Sequence, residues 1–201
     1  MTKNKILEMA IDLFSQYGYD GVSIRQIAGE VGIRESSIYN HYPNKQAILN
    51  AILDYYVEEM VSDEIPLEQA SLNLDEGFDY FYNAGCDAFL SKLHEERMMK
   101  ITRLMLIESY HNDDVRNFLK SAIIEAPVYG WMDLFNLMKE KNLIRRDCDV
   151  RQISESFFYY GMFLLYEHFI INYPEDDEMF LEEFLEKTKN HAGIIFDSVK
   201  I

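Results

Sequence analysis

Apolar residues recur along this chain at spacings of three and four, the interval that lines up side chains on one face of an α-helix. In residues 3–17 the recurring positions are Ile6, Ala10, Leu13, Phe14 and Tyr17, and Gly18 ends the stretch. The pattern predicts an amphipathic first helix. YGYDG follows as a turn. Ser23 and Gln26 then stand three apart, the arrangement in which a hydroxyl and an amide reciprocally satisfy the free N–H groups of a helix start. They open a short second helix that Gly32 ends. A third short helix is expected from about Arg34 to Tyr42, stopped by Pro43, because proline disfavours helical geometry in the residue before it. Asn44 caps a longer fourth helix, reaching about residue 62, with Ile48, Leu49, Ile52, Leu53, Tyr56 and Met60 on one face.

The segment SDEIP near residue 65 breaks the pattern. Beyond it helices are expected at roughly 74–93, 95–110 and 113–141. The last should kink at Pro127, which cannot donate to the helical ladder. Asp149 with Gln152 makes a second start like a capping box, for a helix of about 150–171 that NYPEDD ends, and a final helix covers about 177–198. No strand alternation, repeat or low-complexity stretch interrupts this order. The expected class is all-α, with about nine helices.

Charge divides the chain. Residues 1–50 hold five basic side chains (Lys3, Lys5, Arg25, Arg34, Lys45) and five acidic ones, while the remainder holds 14 basic and 30 acidic and carries the whole net charge of −16. Only the first fifty residues could approach a polyanion without strong repulsion. Two cysteines, Cys86 and Cys148, lie far apart and form no metal-binding or redox pair. A reduced cytoplasmic protein with both thiols as small buried apolar groups is the simplest reading. Glu8 and Asp12 interrupt the first apolar stretch, which is therefore no signal peptide. The longest apolar run, Phe157 to Tyr166, is ten residues, about half of a membrane span. A soluble protein is expected.

The second and third helices meet the demands of a helix-turn-helix. Ala28 is small enough for the steep crossing, and Gly32 can take a positive φ at the turn. Ile24, Ile27, Val31, Ile33 and Ile38 supply a shared core. Arg34, Glu35, Ser36, Ser37, Tyr39, Asn40 and His41 remain exposed on the third helix, as short hydrogen-bonding groups suited to base edges and phosphate oxygens. An ordinary helical hairpin with a solvated face is the alternative. The flanks favour DNA: SSIYNHYPNKQAIL sets a serine, a tyrosine and a lysine where they could bond a phosphate backbone.

A first helix ending in YG, followed by SIRQIAGEVGIRESSIYNHYPNKQAIL, resembles the N-terminal domain of the TetR family of transcriptional regulators over about residues 3–53. The family pattern, (T/S)xxxIAxxxGVxxxxLYxHFxxKxxLL, is met almost throughout, with Ile38 at the leucine position and Tyr42 at the phenylalanine. The resemblance implies that Ser23 and Arg25, at the start of the second helix, contact phosphate, or a base edge as well. It implies that Glu35, Ser36, Ser37 and Asn40 face bases, while Tyr39, His41 and Lys45 hold the backbone. Arg34 and Glu35 are adjacent and opposite in charge, so part of each could be engaged in a local pair. The family implies a DNA-binding domain over residues 1–46, joined by the helix of about 44–62 to an effector-binding and dimerisation domain over 47–201. It also implies a homodimeric repressor on a pseudo-palindromic double-stranded DNA operator, released by a small-molecule effector.

In the body, ISESFFYYGMFLLYEHFII is apolar around nearly its whole circumference, more than one core face needs. Phe157, Gly161 and Leu164 there, with Phe184 and Ile195 of the final helix, are the expected dimer contacts. Burial of both helices within one subunit is the alternative. Tyr82, Phe89, Met105, Trp131 and Phe135 are the expected effector-pocket residues, an apolar and adaptable set. Most aromatic and methionine residues at helical spacing are simply core. Glu108 and His111 form a Glu-x-x-His pair, which invites a di-iron reading, but no second such pair exists. The HExxH, GxSxG and phosphate-loop motifs are absent as well. No enzyme, metal, cofactor or membrane contact is expected. A DNA-binding regulator without a ligand, controlled by a protein partner, is the alternative function.

Overall fold

The computed structural model describes residues 2–62, 66–77, 80, 82, 83, 85, 89, 92, 93, 95–172 and 177–201. In order come α1 (Thr2–Tyr17), α2 (Ile24–Val31), α3 (Glu35–Tyr39), α4 (Lys45–Ser62), α5 (Leu67–Asp75), α6 (Glu96–Glu108), α7 (Asp113–Phe118), α8 (Ala126–Glu140), α9 (Val150–Tyr166) and α10 (Asp177–Val199). The described residues between 80 and 93 are helical as well. The class is all-α, as the periodicity predicts; among the described residues the only β pairing is an isolated bridge between Ile144 and Lys200.

Local chemistry explains most boundaries. Ser23 accepts from the Gln26 N–H while the Gln26 side chain accepts from the Ser23 N–H, so the expected capping box is present. The Asn44 side chain accepts from the Ala47 N–H at 2.8 Å and starts α4. Asp149 accepts from the Gln152 N–H and starts α9. Pro127 sits in the first turn of α8, where a missing N–H costs little. Before it the chain widens into a π-helical turn, Leu119–Glu125, which interrupts the single helix expected over 113–141.

Three expectations need correction. The helix placed at about 74–93 is preceded by α5, with Ala70 and Leu74 buried one turn apart. Gly77, at φ +111°, ends that segment in a conformation other residues avoid. The third helix is shorter than expected, with Asn40 its C-terminal cap rather than Tyr42 its last residue. Tyr17 is 64% exposed and is not part of the α1 core. The buried stripe of α1 runs instead through Ile6, Ala10, Phe14, Ile11 and Ser15. It is drawn to that side because α6 packs on α1 there, as the Arg97–Glu8 and Lys100–Asp12 ion pairs show.

The chain packs as two compact units. One comprises Met1–Ser62 with Glu95–Leu119, the other Asp63–His94 with Lys120–Ile201. In the first, Phe14, Ile27, Ala28, Ile38, Ile48, Leu49 and Ile52 form the core of the N-terminal helices, and Met98, Ile101, Leu104 and Met105 bury the inner face of α6. In the second, α9 packs on both α8 and α10. Its core gathers Ala70, Leu74, Leu134, Phe135, Met138, Ile144, Val150, Ile153 and Val199. Cys148 is half-buried and its thiol donates to the Arg145 carbonyl, while Cys86 lies outside the described residues. No helix among the described residues is long and apolar enough to cross a membrane.

Candidate nucleic-acid interface

The helix-turn-helix is built as the sequence requires. Gly32 closes α2 in the left-handed region at φ +75°, and Ile33 N–H returns to the Ala28 carbonyl. Nothing crowds a Cβ at Gly32, so its backbone conformation alone calls for glycine. Ile27, Ala28 and Ile38 are buried between the two helices and the rest of the unit, while Val31 and Ile33 are only half-buried. With the apolar positions turned inward, the polar ones face out.

Arg25, Arg34, Glu35, Ser36, Tyr39, Asn40 and His41 are exposed, and Ser37 is half-buried. Among the described residues, no protein group forms a hydrogen bond or ion pair with any of these eight side chains. The local pair expected between Arg34 and Glu35 is therefore not formed. Two guanidinium groups, a carboxylate, a phenol, an amide, an imidazole and two hydroxyls are left to bond an outside partner. This is the donor and acceptor set that phosphates and base edges need.

Ser23 and Lys45 are different, because the fold already uses their polar atoms. The Ser23 hydroxyl accepts from the Gln26 N–H at 3.2 Å and donates to Gln26 Oε1 at 2.9 Å. Lys45 Nζ donates to the Tyr19 carbonyl at 2.8 Å and to the Val22 carbonyl at 3.0 Å, and lies 4.1 Å from the centre of the Tyr19 ring. Two of its three donors thus tie the α1–α2 turn to the start of α4. Tyr42 is buried beneath Lys3, whose Nζ lies 5.5 Å from the ring centre, and burial raises its pKa. It packs as the family's phenylalanine would.

Sequence reasoning missed Tyr19 and Glu108. The Tyr19 ring meets Phe14 edge-on at 5.4 Å and its hydroxyl donates to Gln46 Oε1 at 3.1 Å. Its backbone N–H donates to Glu108 Oε1 at 2.8 Å. Burial raises the Tyr19 pKa, helped by the negative charges of Asp20, Glu108 and Asp114. The Glu-x-x-His pair has no shared ligand geometry here: Glu108 is committed to this turn, and His111 meets the ring of exposed Tyr110 edge-on. No short-range signal could have exposed the Tyr19–Glu108 contact, whose partners are 89 residues apart.

Residues 6–52 match the family model for bacterial regulatory proteins of the tetR family. Over those residues the chain is similar to the TetR family. Its N-terminal domain is 48% identical over 46 residues to IcaR, the negative regulator of the icaADBC biofilm operon of Staphylococcus epidermidis. That match covers 23% of this chain and 25% of the relative's length. The likeness in fold extends further than the match in sequence. A TetR-family transcriptional regulator of Mesorhizobium loti superposes with a TM-score of 0.71 at 15% identity, covering 100% of this chain and 97% of the other. The flavonoid-responsive regulator FrrA gives 0.69 at 15% identity, with 99% and 97% covered.

The expected pocket residues divide between the two units, and the expected dimer residues all lie in the second. Met105 belongs to the unit that contains the helix-turn-helix, whereas Tyr82, Phe89, Trp131 and Phe135 belong to the other. Tyr82, Trp131 and Phe135 interlock around Phe157, with Trp131 and Phe157 centroids 4.1 Å apart. Phe89 stacks instead on Phe184 at 6.1 Å. Leu164 and Phe184 are buried within the subunit, Phe157 and Ile195 pack against its core, and a Cβ at Gly161 would meet Phe184 at 3.5 Å. These five contact their own chain, because α9 turns that face toward α10 and α8. The face of α9 left exposed carries Tyr159, Phe163, Tyr166 and, in the π-helical turn Glu167–Ile171, Ile170.

Proposed function

We propose that the protein is a homodimeric, effector-responsive repressor that reads a pseudo-palindromic operator. The observation that carries this reading is the exposed polar row on α2 and α3. Seven exposed side chains and half-buried Ser37 there have no polar partner among the described residues. α3 would lie in the major groove, with Glu35, Ser36, Ser37 and Asn40 at base edges and Arg25, Arg34, Tyr39 and His41 on phosphates. Residues 1–46 would carry DNA recognition, and 47–201 dimerisation and effector binding.

Pairing of subunits is supported by the exposed side of α9. Tyr159, Phe163, Tyr166 and Ile170 recur at spacings of four, three and four, the interval of a seam between two helices, and Ile194 of α10 is exposed too. Covering the exposed half or so of each such side chain contributes on the order of 1 kcal/mol. A second copy placed about a two-fold axis would match the symmetry of an inverted-repeat operator. The flavonoid response of FrrA supports a small-molecule effector for a chain of this fold. To release DNA, such a ligand must favour the non-binding state by a few kcal/mol.

Selection of bound sequences from a random duplex pool, followed by affinity measurement at several salt concentrations, tests the proposal. An enriched inverted repeat bound with a negative salt slope is the expected result. Failure to enrich any sequence from the pool would remove the DNA-reading role. A thermal-shift screen of small molecules then separates an effector-controlled regulator from one governed by a protein partner.

A further inference from the structure

Glu108 is buried, with 6% of its surface exposed, at the last position of α6. Its Oε1 accepts the Tyr19 N–H at 2.8 Å, in the turn between α1 and α2. Gly18 makes this approach possible. Its φ is +73°, and a Cβ there would sit 3.2 Å from Glu108 Oε1. Any other residue would crowd the carboxylate and strain the backbone at once.

From Tyr19 the contacts run on to the start of α4. Its carbonyl and that of Val22 accept from Lys45 Nζ, its ring lies under the same ammonium, and its hydroxyl donates to Gln46. Ser23, the cap of α2, comes directly after Val22. One five-residue turn is therefore gripped from one side by α6 and from the other by α4, and it sets where α2 begins. α6 is bonded to the same helices elsewhere too: Arg97 donates to Glu8 at 2.9 Å and to the Tyr55 hydroxyl at 3.0 Å, and Lys100 donates to Asp12 at 2.7 Å.

We propose that Glu108 is a positioning residue for DNA recognition, whose carboxylate holds the α1–α2 turn through the Tyr19 amide and so fixes how α2 and α3 are presented to the operator. Glu108 touches no nucleic acid; it acts through reach rather than charge. A half-buried N–H that loses its buried acceptor regains a partner by moving toward another acceptor or water, and here the movement would carry Ser23 and Arg25 with it. The inference rests on the DNA-binding reading of the protein.

Two substitutions separate reach from charge. Glu108→Asp keeps the charge and draws the oxygen back by one methylene, and Glu108→Gln keeps the reach and removes the charge. Full-length proteins are compared on the duplex selected by the wild type, with amide hydrogen exchange at Tyr19 read in the free proteins. Glu108→Asp is expected to exchange faster at Tyr19 and to bind about ten-fold more weakly. Its salt slope should not change, because no phosphate contact is lost. Glu108→Gln should stay within about three-fold of the wild type, closer to it than Glu108→Asp. Wild-type affinity in Glu108→Asp, or an equal loss in both variants, would overturn the inference while leaving the DNA-binding reading intact. A wild type that binds no duplex would overturn that reading, and this inference with it.

Discussion

Asn40 and Lys45 lie five residues apart and do different work. Asn40 is exposed, with its amide unengaged, at the end of α3. An asparagine there can bond an adenine edge through both amide atoms. Asn40→Ala should therefore cost about 1–3 kcal/mol at one or two operator positions and leave binding to random duplex nearly unchanged, as competition against single-base operator variants would show. Lys45 has two of its three donors on carbonyls of the α1–α2 turn. Lys45→Ala should weaken binding to every duplex and also lower unfolding stability by about 1–2 kcal/mol in urea, since two charge-assisted bonds are lost. A loss of affinity without a loss of stability would mean that Lys45 serves DNA alone. The family pattern marks the lysine; only the structure shows its second duty.

Helix ends were the most legible elements, because capping depends on neighbours a few residues apart. Ser23 with Gln26, Gly32, Asn44 and Asp149 all act where the sequence places them. Interruptions inside long helical stretches were less legible. Pro127 marks a break in the ladder, but not the seven-residue π-helical turn that precedes it. α5 escaped because it has few buried anchors, with Leu72 exposed, and because the periodic pattern reads on through Gly77. Gly161 is one of the expected dimer contacts, and in the structure it faces Phe184 of α10 in the same chain. A Cβ at 3.5 Å from Phe184 is ordinary contact, so alanine fits there. Gly161→Ala should raise stability by up to about 1 kcal/mol through helix propensity, without changing the oligomeric state. Urea unfolding and sedimentation check both halves; dissociation of a dimer would place Gly161 at the subunit seam after all.

For the whole molecule, the exposed stripe on α9 decides how pairing is tested. Phe163 is 59% exposed, in the middle of the stripe. Phe163→Asp should leave the subunit folded, because the side chain contributes little to its core. It should convert a dimer to a monomer in sedimentation and weaken operator binding by at least about ten-fold, because half-sites are then engaged independently. Unchanged sedimentation would move the interface elsewhere. The charge division acts on the same scale. With nearly all the negative charge beyond residue 50, the body's field opposes DNA, so correct presentation of the N-terminal helices matters all the more.

The sequence by itself determined the all-α class, the helix-turn-helix with its caps and turn glycine, and the outward row from Arg34 to His41. Each follows from residues within one or two helical turns of one another, where spacing alone states the geometry. Tertiary structure decided which face of α9 is buried, which aromatic residues share a core, and that Glu108 reaches Tyr19. These depend on which helices meet, and an apolar residue reads the same whether it faces its own chain or an open surface. The Tyr19 clamp joins positions 89 residues apart through a backbone amide, a donor that nearly every residue carries and that no side-chain pattern can mark.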